Sequence, residues 1–369
     1  AGTGHRISLQ NGSRYSFAAA EFTPFSSSDS MFEVTGGSVF ARTNGSYKTF
    51  YNANGCTMRV AGAGSKFLYD GFVYVGEVYD NATFLVEDGG ALEWTGPNSG
   101  SVYVGQRATS TGDRMIVRGK NSLSRVTALY VSANGGSFSS FELSDGAVNT
   151  NTYALVIGWW KNDPADAQFS NNPGGTNTIS VTAGAKSYSA WMSTSGVGNT
   201  IAVTNGLIQL EACTLVDDER YGLAIPDANF EKPEAIAKLK TIPRDTHIMI
   251  GGTNSVIKTT HGNGNMRFAK NTDFSFEIPA TGYCQAPIQS SRYIKFVGCG
   301  KMTVNADAWI AAHPKEKVVL MQAAVGIEAD DAPLAAFNSA LPPNYRVRIS
   351  RDGKKLLLEP QFGLFIVIQ

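Results

Sequence analysis

The stretch NATFLVEDGGALEW, Asn81 to Trp94, sets Phe84 and Val86 one residue apart, then passes through an acidic turn and two glycines before returning to apolar residues. The same order of events recurs in FEVTGG at Phe32, MRVAGAG at Met58, FLVEDGG at Phe84, MIVRG at Met115, FELSDG at Phe141, ISVTAG at Ile179 and IAVTNG at Ile201. The steps between these starts are 26, 26, 31, 26, 38 and 22 residues. Each unit is a short strand with alternating apolar positions, closed by a turn whose glycine supplies positive φ. No helical period runs through the series.

A second series, VYVG at Val73, VYVG at Val102, LYVS at Leu129 and LVIG at Leu155, lies between the first with steps of 29, 27 and 26 residues. Two interleaved series of equal period require at least two strands per turn of a solenoid. Strands this short gain stability by stacking on the next copy about 4.8 Å away, which buries ladders of like residues such as Met58, Phe84 and Met115. The pattern predicts an all-β fold, a right-handed parallel β-helix (solenoid) of about twelve to fourteen rungs. A β-propeller also repeats, but its blades need about 40 residues or more, well above the period here.

The expected organisation is an N-terminal cap or strand over residues 1–25, regular repeats over 26–216, an irregular continuation over 217–310, and a C-terminal β cap over 311–369. Within the continuation, DANFEKPEAIAKLK reads as a short helix insertion near 231–240, with Pro233 in its first turn. In the last segment a strand, a proline-marked turn and a hairpin at Asp352-Gly353 finish the stack. A cap is physically required because an open last rung leaves strand edges unpaired.

The run from Val60 to Gly105, with its GAGS, its two VYVG strands and its xVxxGG turns, resembles the repeat shared by autotransporter passenger domains and secreted bacterial proteins of the PEP-CTERM type. The resemblance extends over about Phe32 to Leu210. It implies a secreted or cell-surface β-helix and implies no activity. The pattern departs from those families at the C-terminus, which shows neither a translocator barrel nor a sorting helix with a basic tail.

Composition adds limits. With 31 basic and 31 acidic residues the net charge is zero, which removes the electrostatic argument for nucleic acid as a partner. No apolar run is long enough to span a bilayer, and AGTGHRISLQ reads as a mature end after signal removal. Of four cysteines, Cys284 and Cys299 are close enough in sequence to form a disulfide in an oxidising compartment, with buried thiols as the other reading.

Catalysis on a β-helix would set paired carboxylates, or a base with a neutralising cation, on adjacent rungs. The acidic candidates, Asp217-Asp218-Glu219, Asp330-Asp331 and Asp163 with Asp166, all fall in turn-like segments, where solvated charge is the ordinary role. The four histidines are scattered and share no metal-ligand spacing, so neither a metal nor a cofactor is expected. The 38-residue step from Phe141 to Ile179 forces Gly158 to Asn177 out of the rung. In that loop Trp159 and Trp160 beside Lys161, Asn162 and Asp163 are candidates for stacking on a sugar and binding its hydroxyls, or for a lid over the solenoid. At the two termini Ile7 and Leu9, and Leu364, Phe365, Ile366, Val367 and Ile368, are candidates for end-to-end association into a homo-oligomer or filament. The leading expectation is a non-enzymatic extracellular structural protein of the surface, matrix or filament type, with adhesion as a further role. The alternative is a carbohydrate-active enzyme, a polysaccharide lyase or hydrolase, or a glycan-binding β-helix.

Overall fold

The computed structural model of the chain describes residues 4–18, 27–42, 54–77, 79–97, 100–107, 109–132, 136–158, 175–194, 196–215, 244–262, 264–268, 272–296, 300–329, 331–339 and 341–361. These residues form a parallel β-helix with three faces. The first face stacks eleven parallel strands, beginning with Arg6–Leu9, Met31–Val34, Thr57–Ala61 and Thr83–Glu87 and ending with Met302–Asn305. The second face starts at Arg14–Phe17 and the third at Val73–Val75. Four long strands, Leu123–Val131, Val148–Ile157, Lys186–Thr194 and Leu207–Leu215, serve both of these faces, and after them the faces separate again into Val256–Thr259 and Met266–Phe268.

The register bears out the repeat residue by residue. Ile7, Phe32, Met58, Phe84, Met115, Phe141, Ile179, Ile201, Ile248, Phe274 and Met302 are successive partners on the first face. Val73, Val102, Leu129 and Leu155 are partners on the third. From Phe32 onward the first ladder is buried in one continuous core, where each large apolar side chain contributes roughly 1.5–3 kcal/mol by leaving water. Among the described residues the first face holds eleven stacked strands, against the twelve to fourteen rungs that the period suggests.

The second face carries a ladder that the apolar pattern does not show. Phe40, Phe67 and Leu92 give way to Ser124, Asn149 and Ser187 at the same inward position before Ile208 restores it. These polar side chains are buried; Asn149 Nδ2 donates to Ser187 Oγ at 3.2 Å and, two residues on, Asn151 Nδ2 donates to Ser189 Oγ at 2.7 Å, while Ser124 Oγ has no hydrogen-bond partner. Identical spacing between rungs lets an amide donate to the neighbour above, so a polar stretch inside the solenoid is tolerated.

The far end is closed by mixed structure. Helix α1 spans Asp307–Ala312 and helix α2 spans Asp331–Ser339. The strand Lys355–Pro360 then runs antiparallel to Val318–Ala323 and pairs on its other side with Tyr345–Ile349, the hairpin expected at Asp352-Gly353. The segment 231–240, expected to be helical, lies outside the described residues.

Candidate functional site

The three faces meet at corners of different character. The first corner, between the first and second faces, is short through the early turns, covering residues 35–38, 62–65, 88–90, 119–122, 145–147 and 183–185. Its tip is a pair of left-handed residues, Gly36-Gly37, Asp88-Gly89, Asp145-Gly146 and Ala183-Gly184, the conformation the repeated glycines predict. The third corner, between the third and first faces, covers residues 76–82, 105–113, 132–139, 158–177 and 216–243, with residue 195 alone between the last two. The two longest excursions of the first eight turns thus leave from one edge of the molecule.

Within that corner side chains from three of the rungs each hold the backbone of the rung below. Asp113 Oδ1 accepts the Ala82 N–H at 2.8 Å, Asn177 Oδ1 the Ser139 N–H at 3.0 Å and Asn199 Oδ1 the Asn177 N–H at 3.4 Å. All three holders are buried. Asp113 is the titratable member of the set. Burial pushes its carboxyl up to about 8, with the hydrogen bond from Ala82 acting downward and the nearby Asp80 charge upward. Its Oδ2 and the Ser139 Oγ are buried without a hydrogen-bond partner. Glu77 is ion-paired to Arg107 at 3.1 Å, and Asp80 accepts from the Thr111 amide at 2.8 Å.

The outer rim of the corner is apolar. Phe138 is 62% exposed and holds φ +56°, at the step where the neighbouring rungs place Gly112 and Thr176, also left-handed. Tyr79 at 38% and Val197 are exposed on the same corner. Phe138 thus presents an aromatic ring to solvent at this corner, an arrangement that suits stacking.

Elsewhere the acidic side chains hold the solenoid together. On the outer side of the first face Arg6, Glu33, Arg59, Glu87 and Arg118 form one ladder across five rungs, with separations of 2.7, 3.6, 2.6 and 2.6 Å. Burial raises the Glu33 and Glu87 carboxyls, yet their hydrogen bonds to Ser8, Arg6, Arg118 and Arg59 prevail and hold both below the usual range. In the cap, Glu359 meets Lys317 at 2.8 Å and Arg346 at 3.0 Å, together with Arg348. Burial again acts upward, and the three cations hold Glu359 at about 2.

Of the residues singled out in the sequence, Trp159, Trp160, Lys161, Asn162 and Asp163 lie outside the described residues, as do Asp166, Asp217, Asp218, Glu219, Asp330, Cys299 and Leu364 to Ile368. The flanking Gly158 and Gly175 lie on the third corner. Cys284 is exposed. Ile7 is 48% exposed although it heads the inward ladder, and Leu9 packs partly against the core. Among the described residues no group of three or more His, Cys, Asp or Glu side chains is arranged to hold a metal ion. No described helix is long and apolar enough to cross a membrane. Sequence reading missed Asp113, Phe138 and the ion ladder. Charge alternation at the outward positions Glu33, Arg59 and Glu87 is the one signal that could have revealed the ladder.

Comparison with protein-family models, curated proteins and solved structures returns no match for this chain.

Proposed function

We propose that the protein is a non-enzymatic extracellular structural scaffold, secreted or held at a cell surface, whose third corner meets its partners. The observation that carries this reading is the contrast between a core that keeps one register from Ile7 to Met302 and long excursions gathered on a single edge. Such a division suits a rigid rod that displays a variable surface. The engagement of Glu33, Glu87 and Glu359 with arginines and lysine also favours it, since those carboxylates stabilise the stack. The repeat's resemblance to autotransporter and PEP-CTERM-type proteins supports the extracellular setting.

Self-association belongs to the same proposal. Ile7 and Tyr15 occupy inward positions on the first rung and are 48% and 51% exposed, so a second copy seated there would bury them. A second reading, glycan recognition or turnover at the third corner, is favoured by exposed Phe138 and Tyr79 near the root of the Trp159 excursion. The decisive experiment incubates the purified chain with polyuronates and neutral glycans while sedimentation and electron microscopy track its assembly. The scaffold reading expects no product release and an oligomer that Ile7→Asp disperses. Depolymerisation of any glycan, lost in Phe138→Ser or Trp159→Ala, would replace it with the carbohydrate-active reading.

A further inference from the structure

The C-terminal end of the solenoid differs from every internal rung in having a helix where the next strand would stack. The strand Tyr345–Ile349 pairs on one side with Lys355–Pro360, which leaves its other edge as a place where a further strand could add. Helix α2 stands there instead. Asn338 of α2 accepts the Val347 N–H on Oδ1 at 2.6 Å and donates from Nδ2 to the Val347 carbonyl at 3.0 Å. The same amide donates to Leu334 O at 2.8 Å, which fixes it to its own helix. One side chain thus makes both bonds that the backbone of a next strand would make. The Tyr345 N–H is taken by Pro342 O at 2.9 Å, so the neighbouring donor on that strand is also occupied.

The preceding residue completes the substitution. Phe337 is fully buried and meets Phe274 and Phe296 edge-on, at centroid distances of 6.1 and 5.6 Å. Phe274 belongs to the inward ladder of the first face, one rung below its last member Met302, so Phe337 fills the core where the stack closes. Two adjacent residues of a single helix therefore supply the apolar and the hydrogen-bonding halves of a missing rung. On the strand itself Arg346 and Arg348, held by Glu359, place positive charge beside the edge, as protected edge strands do.

We infer that α2 is a surrogate rung that stops growth at this end: Phe337 closes the core, Asn338 closes the backbone edge, and with both in place Tyr345–Ile349 accepts no strand from a second copy. This inference does not depend on the scaffold reading, because it concerns only what the end of the stack can bind.

The test compares the full-length protein with Asn338→Ala and with Phe337→Ala/Asn338→Ala, each carrying Ile7→Asp so that contacts at the opposite end are removed. Light scattering after size exclusion and far-ultraviolet circular dichroism are read together, with amide exchange measured residue by residue. The Val347 amide of the unsubstituted protein should exchange as slowly as those of Leu356 and Leu358, and Asn338→Ala should speed Val347 about tenfold while leaving Leu356 unchanged, the effect of losing one hydrogen bond. The double variant should retain its β spectrum and self-associate with rising concentration. A folded double variant that stays monomeric overturns the inference. If the double variant loses its fold, the exchange result decides: an unprotected Val347 amide in the parent, or no change in Asn338→Ala, overturns it as well.

Discussion

The first and third corners of this solenoid solve the same problem, turning a chain from one face to the next, with opposite economies. The first uses two left-handed residues and spans three or four residues in each of the early turns, whereas the third ranges from residue 195 alone to the span 216–243. The first corner keeps the next strand in register at both lengths, as Lys66 pairs with Ala91 and Leu123 with Val148. The third holds its register by a different device, the side chains of Asp113, Asn177 and Asn199 clamping the amide of the rung below. Variation at the third corner is therefore cheap, and a partner-binding surface on this fold has most room to arise there.

Both corners depend on the ladder they connect, so the largest expected effect comes from breaking it. Phe84→Asp places a carboxylate between Met58 and Met115 in a dry interior and should cost more than about 4 kcal/mol or prevent folding. Urea denaturation of the variant beside the parent measures it, and a stability within experimental error of the parent would mean the ladder does not organise the core.

The clamp gives the next effect, and its sign depends on pH. Asp113 ionises at about 8 in the folded chain against an ordinary value of 3.8, so between these values the folded protein binds a proton that the unfolded chain has lost. Its contribution is fully favourable below about 4, declines as pH rises toward 8, and changes no further above it. Asp113→Asn keeps an acceptor for the Ala82 amide, as Asn177 and Asn199 do on later rungs, and should match the parent at pH 4 and exceed it increasingly up to pH 8. Glu359 works in the opposite direction: held at about 2, it stabilises above its ordinary 4.5 and loses that contribution as pH falls toward 2. Denaturation midpoints between pH 2 and 9 separate the two groups, and an Asp113→Asn curve parallel to the parent's would show that the carboxyl is ionised in the fold.

These residues also show how far the sequence could be read. The first and third faces were legible because Phe84, Met115 and Phe141, and Val102, Leu129 and Leu155, repeat one chemical character at one spacing. The second face was not, because Ser124, Asn149 and Ser187 interrupt its apolar ladder with polar residues whose inward position shows only once the rungs are stacked. The cap hairpin was announced by Asp352-Gly353. Helix α2 was not, since nine residues give too short a window for a helical period and its importance lies in contacts of Phe337 and Asn338 that no local pattern encodes. At the third corner the length anomaly after Phe141 marked the right edge of the molecule. Asp113 stayed hidden because one aspartate before a strand looks like any turn residue until burial distinguishes it.

A smaller effect tests the first corner alone. Gly146, at φ +76°, has space around an added Cβ, so Gly146→Val probes backbone conformation without a clash. The left-handed state should cost a β-branched residue about 1–2 kcal/mol, seen as a lower urea midpoint with an unchanged slope. No change would indicate that the corner can rearrange.

The smallest expected effect, and the sharpest contrast with that one, lies at Phe138. This residue occupies a left-handed conformation at φ +56° with its ring mostly in solvent, so it gives up backbone stability and recovers little by burial. Phe138→Gly releases strain of about 1–2 kcal/mol but gives the unfolded chain extra freedom of about 0.5–1 kcal/mol. The net change should be a slight stabilisation, under about 1 kcal/mol and opposite in sign to Gly146→Val. A ring kept in a strained and exposed position without a folding advantage points to a role outside the fold. The variant should therefore match or exceed the parent in stability while losing affinity for whatever the third corner binds, measured first on a panel of neutral and acidic glycans. A marked loss of stability in Phe138→Gly would instead make the ring a structural part of the corner, and the distinction between a corner built for register and a corner built for partners would fail at this rung.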